Sequence, residues 1–178
     1  NDTVAELPFE DPLDTFVLSK ENFFNAESST VLKNLCEELL RNQNGVSLSA
    51  LSNEIARHIG MGRVSAKFHD RILSIINPWA GISKKLLKDP TIWLDKKSVV
   101  DLIEWQGLAP TGVVRTWKEI SYHEQLGIAK YALGKNSYLP ALAIKEMFNL
   151  SRLNKNTETE FLGWVTNYRK YKESLSSV

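Results

Sequence analysis

A single cysteine in 178 residues excludes an internal disulfide. Cys36 falls on the apolar side of a predicted helix and reads as a small core residue in a reducing compartment. No apolar run approaches the roughly 18 residues a membrane helix needs, so no membrane partner is expected and the expected location is cytoplasmic. There is no glycine-rich loop closing in Lys-Ser or Lys-Thr, which excludes a built-in site for nucleotide phosphates. His58, His69 and His123 have neither partner cysteines nor ligand spacing, so no metal and no cofactor is expected, and each reads as a surface or packing residue. A basic–apolar–small secretory segment is also missing, and Asn1 in place of methionine leads us to expect sequence upstream of it. Asn149-Leu150-Ser151 matches a glycosylation acceptor, but one chance match is expected at this length.

What is present is ordinary for a folded chain: 43% apolar and 24% charged residues, which argues against disorder over most of the length. The net charge of +1 conceals an asymmetry. In the first 29 residues seven acidic side chains face only Lys20, which leaves 21 basic and 14 acidic residues from position 30 onward, a net of +7. A basic body behind an acidic leader favours a polyanionic partner. Residues 1–29, with Pro8, Pro12, Phe9, Phe16, Phe23 and Phe24, read as an extended leader or linker whose aromatics dock onto the body.

One pattern occurs twice. Leu32, Leu35, Cys36, Leu39 and Leu40 repeat at helical spacing, and Asn42–Gly45 ends that helix. Ser47 or Ser49 can cap a second helix with inner face Leu48, Leu51, Ile55 and Ile59, stopped by Gly60. A third helix is predicted over 64–76, with stripe Val64, Phe68, Ile72, Ile75 and Ile76, ended by Asn77-Pro78. The second copy opens at Ile120 with Leu126, Ile128, Ala129, Ala132 and Leu133. It continues with a middle helix over 139–148, Pro140 in its first turn, and a last helix over 158–171 that Thr157 and Glu160 would cap. Phe161, Trp164, Val165 and Tyr168 form its stripe, and Arg169, Lys170 and Lys172 follow. The isoleucine-to-arginine spacing at the junction is the same in both copies, Ile55 to Arg63 and Ile144 to Arg152.

Between the copies the pattern weakens. Residues 82–88 suit a short helix, Thr91–Leu94 a strand, and Gly112–Trp117 a second strand, while 98–105 fits helix or loop equally. The expected fold is therefore mainly α: two tandem winged-helix or helix-turn-helix-like units with a short β hairpin or strand segment between them. The boundaries are a leader at 1–29, a first unit at 30–97, a linker at 98–117 and a second unit at 118–178.

In such a fold the third helix approaches nucleic acid. Arg63, Lys67 and Arg71 sit four apart and would line one ridge facing phosphates, with hydrogen bonds from Ser65 and His69. Lys84, Lys85 and Lys88 would add contacts if the segment after Pro78 folds back as a wing. The expectation is DNA, in duplex form, bound through its phosphates. Glu158 and Glu160 open the equivalent helix of the second copy and oppose phosphate, so that copy is expected to bind protein or pack internally. Two other functions compete with DNA binding. A protein-interaction or oligomerisation module would use Trp79, Trp93, Trp105, Trp117 and Trp164 as an exposed aromatic patch. A metal-dependent nuclease would use Asp89, Asp95 and Lys97, although a turn flanking a strand explains the same residues. No catalytic constellation is evident, and the chain is read as not itself an enzyme.

Several short motifs carry a resemblance. Asn44-Gly45-Val46, Leu51, Ile55-Ala56-Arg57, Gly60, Arg63 and Arg71-Ile72 resemble the first repeat of a C-terminal domain of unknown function on large bacterial superfamily-1 helicases, often beside a restriction-endonuclease-like nuclease domain. Ile92-Trp93 resembles the strand after that repeat. Lys118-Glu119-Ile120-Ser121, Glu124, Ile128-Ala129 and Ala132-Leu133 resemble the opening of its second repeat. Arg63-Val64-Ser65 lacks the family's glycine, and Asn149-Leu150-Ser151-Arg152 stands where the family has Gly-Phe-x-Arg. The resemblance spans roughly residues 30–175. It implies a noncatalytic accessory module of a larger ATP-driven DNA-processing protein, whose helicase or nuclease domains would be its neighbours, and it transfers no catalytic residue.

Overall fold

The computed structural model describes residues 16–177. It is mainly helical with one small antiparallel sheet. The first half runs α1 (Ser29–Arg41), β1 (Val46–Ser47), α2 (Leu48–His58), α3 (Ala66–Ile76), β2 (Gly81–Ile82) and β3 (Thr91–Trp93). β3 lies in the centre of the sheet, pairing Ile92 with Val46 of β1 and with Ile82 of β2. The second half is α4 (Tyr122–Lys135), α5 (Pro140–Met147) and α6 (Lys155–Ser176), and no strand occurs in it among the described residues.

Local chemistry sets these boundaries. The Ser47 side chain accepts the Ala50 amide at 3.0 Å and starts α2, while Asp89 reaches from the far end of the β2–β3 loop to accept the Ser49 amide at 2.8 Å. Gly60, at φ +70°, ends α2 in the left-handed conformation that lets the Met61 amide return to the Ala56 carbonyl at 2.8 Å. Ser65 then caps α3 through the Phe68 amide at 3.2 Å.

The repeat survives at atomic detail with a fixed displacement of 89 positions, 60 to 149 and 65 to 154. Asn149 takes Gly60's role at φ +52°, a conformation asparagine tolerates better than most side chains, and Leu150 returns its amide to the Lys145 carbonyl at 3.1 Å. Asn154 takes the role of Ser65, accepting the Thr157 amide at 2.9 Å; Asn136, at the position of Ser47, accepts the Leu139 amide at 2.9 Å in the turn before α5, whose N-cap is Leu139. Ile55, Ile72 and Ile76 are buried, and so are their counterparts Ile144, Phe161 and Val165.

Each half has its own core. Phe23, Leu32, Cys36, Leu51, Phe68 and Ile92 are among the buried side chains of the first, and Ile128, Ile144, Phe148, Phe161 and Trp164 of the second. Phe23 comes from the predicted leader and stacks on Phe68 with ring centroids 4.2 Å apart, so that stretch belongs to the first core. Phe24 is exposed beside it, and Phe9 lies outside the described residues. Burial pushes the Cys36 thiol up to about 12, with Glu37 adding to the effect, so the thiol stays protonated and inert.

The halves meet along the connection 94–121, which is not a simple linker. Ile103 is buried, and its amide donates to the His123 carbonyl at 3.0 Å. Gly127 sits so close that a β-carbon there would overlap the Ile103 carbonyl. Glu124 is 1% exposed and accepts from the two terminal guanidinium nitrogens of Arg115, at 2.6 and 2.7 Å, and from the Gln106 side chain at 3.0 Å. Across the seam Ser47 donates to the Glu119 carbonyl at 2.6 Å and Asn53 to the Glu119 carboxylate at 2.6 Å.

Several expectations need correction. The segment 82–88 is not a helix: after Ile82 it is the loop of the β2–β3 hairpin, with Leu86 at positive φ. Gly112–Trp117 forms no strand; the run closes in a 3-10 turn at Trp117–Glu119. The sheet is built into the first half through β1 instead of lying between two like units. Thr157 does not cap α6, because the helix begins three residues earlier than Glu158 and buries Thr157 in its first turn.

Candidate nucleic-acid interface

The basic ridge predicted on the third helix does not form. Arg63 precedes the Ser65 cap and so stands in the α2–α3 turn, exposed but off the helical repeat. Arg71 is turned to the body. Its guanidinium donates to the Phe23 carbonyl at 3.3 Å, the Asn25 carbonyl at 2.9 Å, and the Ser28 and Ser29 hydroxyls at 3.1 Å each, strapping 23–29 onto α3. Ser65 is spent on its cap, and the His69 Nδ1 is hydrogen-bonded to the buried Ser52 hydroxyl at 2.8 Å, tying α3 to α2. The outward face of α3 is therefore Lys67, Asp70, Ser74 and Asn77, with Arg63 ahead of it. Asp70 breaks the positive field there. Spacing along the helix places these side chains correctly, but it holds no sign of the chain packed on the other side of Arg71.

The loop between β2 and β3 is where basic residues do collect. Lys84, Lys85 and Lys88 are all exposed, and Asp89, the one acid in the loop, has an oxygen engaged by the Ser49 amide. The loop borders α3: Leu73, Ser74 and Asn77 share a shallow groove with Ile82, Ser83 and Leu87. It is also fixed from the other side. The His123 Nδ1 faces the Asp101 carbonyl at 2.8 Å and, since a carbonyl only accepts, must donate to it. The other ring nitrogen, Nε2, is hydrogen-bonded to the Ser83 hydroxyl at 2.8 Å, and Ser83 in turn accepts the Lys85 amide at 3.0 Å. In sequence His123 reads as an ordinary packing histidine; nothing in its neighbours along the chain signals that it anchors a loop 40 residues away.

Asp89 and Asp95 each cap a helical turn. Asp95 accepts both the amide and the hydroxyl of Ser98, which holds its carboxyl below the usual carboxylate range. No three of His, Cys, Asp and Glu gather as metal ligands among the described residues. All five tryptophans are buried or half-buried, so they make no exposed patch. Trp93 and Trp164 lie in the interior, and Trp105 lies under the Arg115 guanidinium at 5.2 Å. Exposed apolar side chains gather in the second half instead, where Tyr138 (93% exposed), Leu139, Leu142 and Leu162 border a cleft of about 380 Å³. No described helix is long and apolar enough to cross a membrane. No family model, no curated protein and no solved structure matches this chain.

Proposed function

We propose that the first half is a winged-helix module that binds duplex DNA through phosphate contacts, and that the chain is a noncatalytic DNA-positioning part of a larger DNA-processing protein of the helicase kind. The observation that carries the reading is the β2–β3 loop: three exposed lysines on a hairpin that borders α3 and is tied to α4 through Ser83. The order α1-β1-α2-α3-β2-β3 with β3 central supports it, being the order in which a winged helix presents a helix and a loop side by side. Lys84, Lys85 and Lys88 are the principal contacts, and Arg63 and Lys67 the secondary ones; Arg71, Ser65 and His69 hold the fold. The test is fluorescence anisotropy with a labelled duplex over a salt series. Lys84→Glu/Lys85→Glu/Lys88→Glu should abolish binding at moderate salt. Neutral substitutions should reduce the salt slope by about 0.9 for each phosphate no longer neutralised. Salt-independent binding, or binding unchanged in the triple variant, would remove the proposal.

A second reading rests on the exposed apolar cleft between α5 and α6, which suits a protein partner of the second half. Leu142→Asp/Leu162→Asp should then weaken self-association in sedimentation without altering DNA affinity. A monomeric wild-type chain leaves that reading without a second copy as its occupant.

A further inference from the structure

A groove of about 630 Å³ runs between the β2–β3 loop and the last turns of α6. Lys84 and Lys85 line one wall, Lys170 and Tyr171 the other, and Tyr122 lies with His123 where α4 meets them. We infer that this groove binds a single nucleic-acid strand, with phosphates on the lysines and bases against the tyrosine rings. The inference rests on the nucleic-acid reading above and adds a second form of ligand to it.

Size decides against a duplex here. The groove is a cleft of the volume that takes small ligands, roughly 300–1,000 Å³, and a double helix cannot enter it. Its chemistry combines the two features that unpaired strands require: positive charge along the backbone path and aromatic faces for stacking. The three lysines are exposed, the two tyrosines half-buried, and Asp101 is the one carboxylate in the lining. The Ser83–His123 bond fixes the loop wall to α4 before any ligand arrives, which lowers the ordering cost of binding. An acidic peptide would satisfy the lysines equally well but makes no use of the aromatic rings in the lining, so the strand is favoured. The loop lysines would thus serve a duplex on the α3 side and a strand on the α6 side.

The experiment measures anisotropy of a labelled oligothymidine of about 10 nucleotides and, separately, of a duplex, against wild type and two variants. Lys170→Glu removes a charge; Tyr171→Leu removes a stacking face and keeps apolar bulk in the packing of α6. Each should weaken strand binding about 10-fold or more and leave duplex binding unchanged, with the melting curve verifying the fold. Strand affinity unaltered in both variants overturns the inference, and so does displacement of the strand by polyglutamate at equal charge, which would make the groove an acidic-peptide site. A wild-type chain that binds duplex and not strand overturns this inference alone; one that binds neither overturns the DNA reading as well.

Discussion

The pairs α2–α3 and α5–α6 are the same device with different outward chemistry. Both hinge on a left-handed residue, Gly60 or Asn149, and both cap the following helix three residues before its first paired amide. Inward positions stay apolar in both, Ile72 against Phe161 and Ile76 against Val165. Beside that stripe, the first pair has His69 and Arg71 where the second has Glu158 and Glu160. His69 and Arg71 are turned to protein partners, whereas the two glutamates are exposed. Of the two cations on α3, Arg71 braces the helix and Lys67 stands exposed beside Asp70, so the denser positive charge of the first half sits on the hairpin loop, which the second pair lacks.

The strongest way to break the comparison is to unseat the connecting segment on α4, on which the second half is built. Glu124→Ala would leave the half-buried Arg115 guanidinium without its carboxylate, and Arg115 already has a buried Nε without a partner. A loss of about 3–5 kcal/mol is expected, measured by urea unfolding. Next in size is Gly127→Ala, which forces a methyl into the Ile103 carbonyl and should cost about 1–3 kcal/mol. Gly134→Ala, on the same helix with open space around it, should cost nothing and gain slightly, which separates helix propensity from the close approach.

The positions flanking the stripe supply a sharper test at smaller magnitude. Arg71→Ala should cost about 1.5–3 kcal/mol, because it releases hydrogen bonds to four residues of the 23–29 strap. Glu160→Ala, at the equivalent place in the second pair, should stay within about 0.5 kcal/mol. If DNA affinity falls in Arg71→Ala no further than its loss of stability explains, Arg71 is a bracing residue; a loss of affinity with stability intact would return it to the interface.

Much of the architecture is legible in the sequence because it is local. The six described α-helices, the Asn42–Gly45 and Gly60 stops, a serine cap at 47 or 49 and a strand starting at Thr91 all follow from short-range periodicity and capping chemistry; the structure selects Ser47 and ends the strand at Trp93. The two-residue strands β1 and β2 are not legible, since neither has a pattern of its own and both exist through pairing with Ile92 and its neighbours. Thr157 misleads for a related reason: a capping-box spacing is present, but Asn154 supplies a competent cap earlier and lengthens the helix by a turn. For the site, the loop lysines stand exposed as their composition suggests, whereas the commitments of Arg71, His69 and His123 depend on partners 17 to 48 residues distant.

The smallest effects test whether the repeat is one of energy as well as geometry. Ser65 and Asn154 hold equivalent caps, each accepting one amide, Phe68 or Thr157, at 3.2 and 2.9 Å. Ser65→Ala and Asn154→Ala should each cost about 1 kcal/mol. If the seam makes the halves cooperative, both substitutions lower one common transition, and hydrogen exchange at the Phe68 and Thr157 amides accelerates alike in either variant. If each cap accelerates exchange only in its own half, the 89-residue repeat marks two separately unfolding units. The bonds from Ser47 and Asn53 to Glu119 would then join them without being the means by which they stabilise one another.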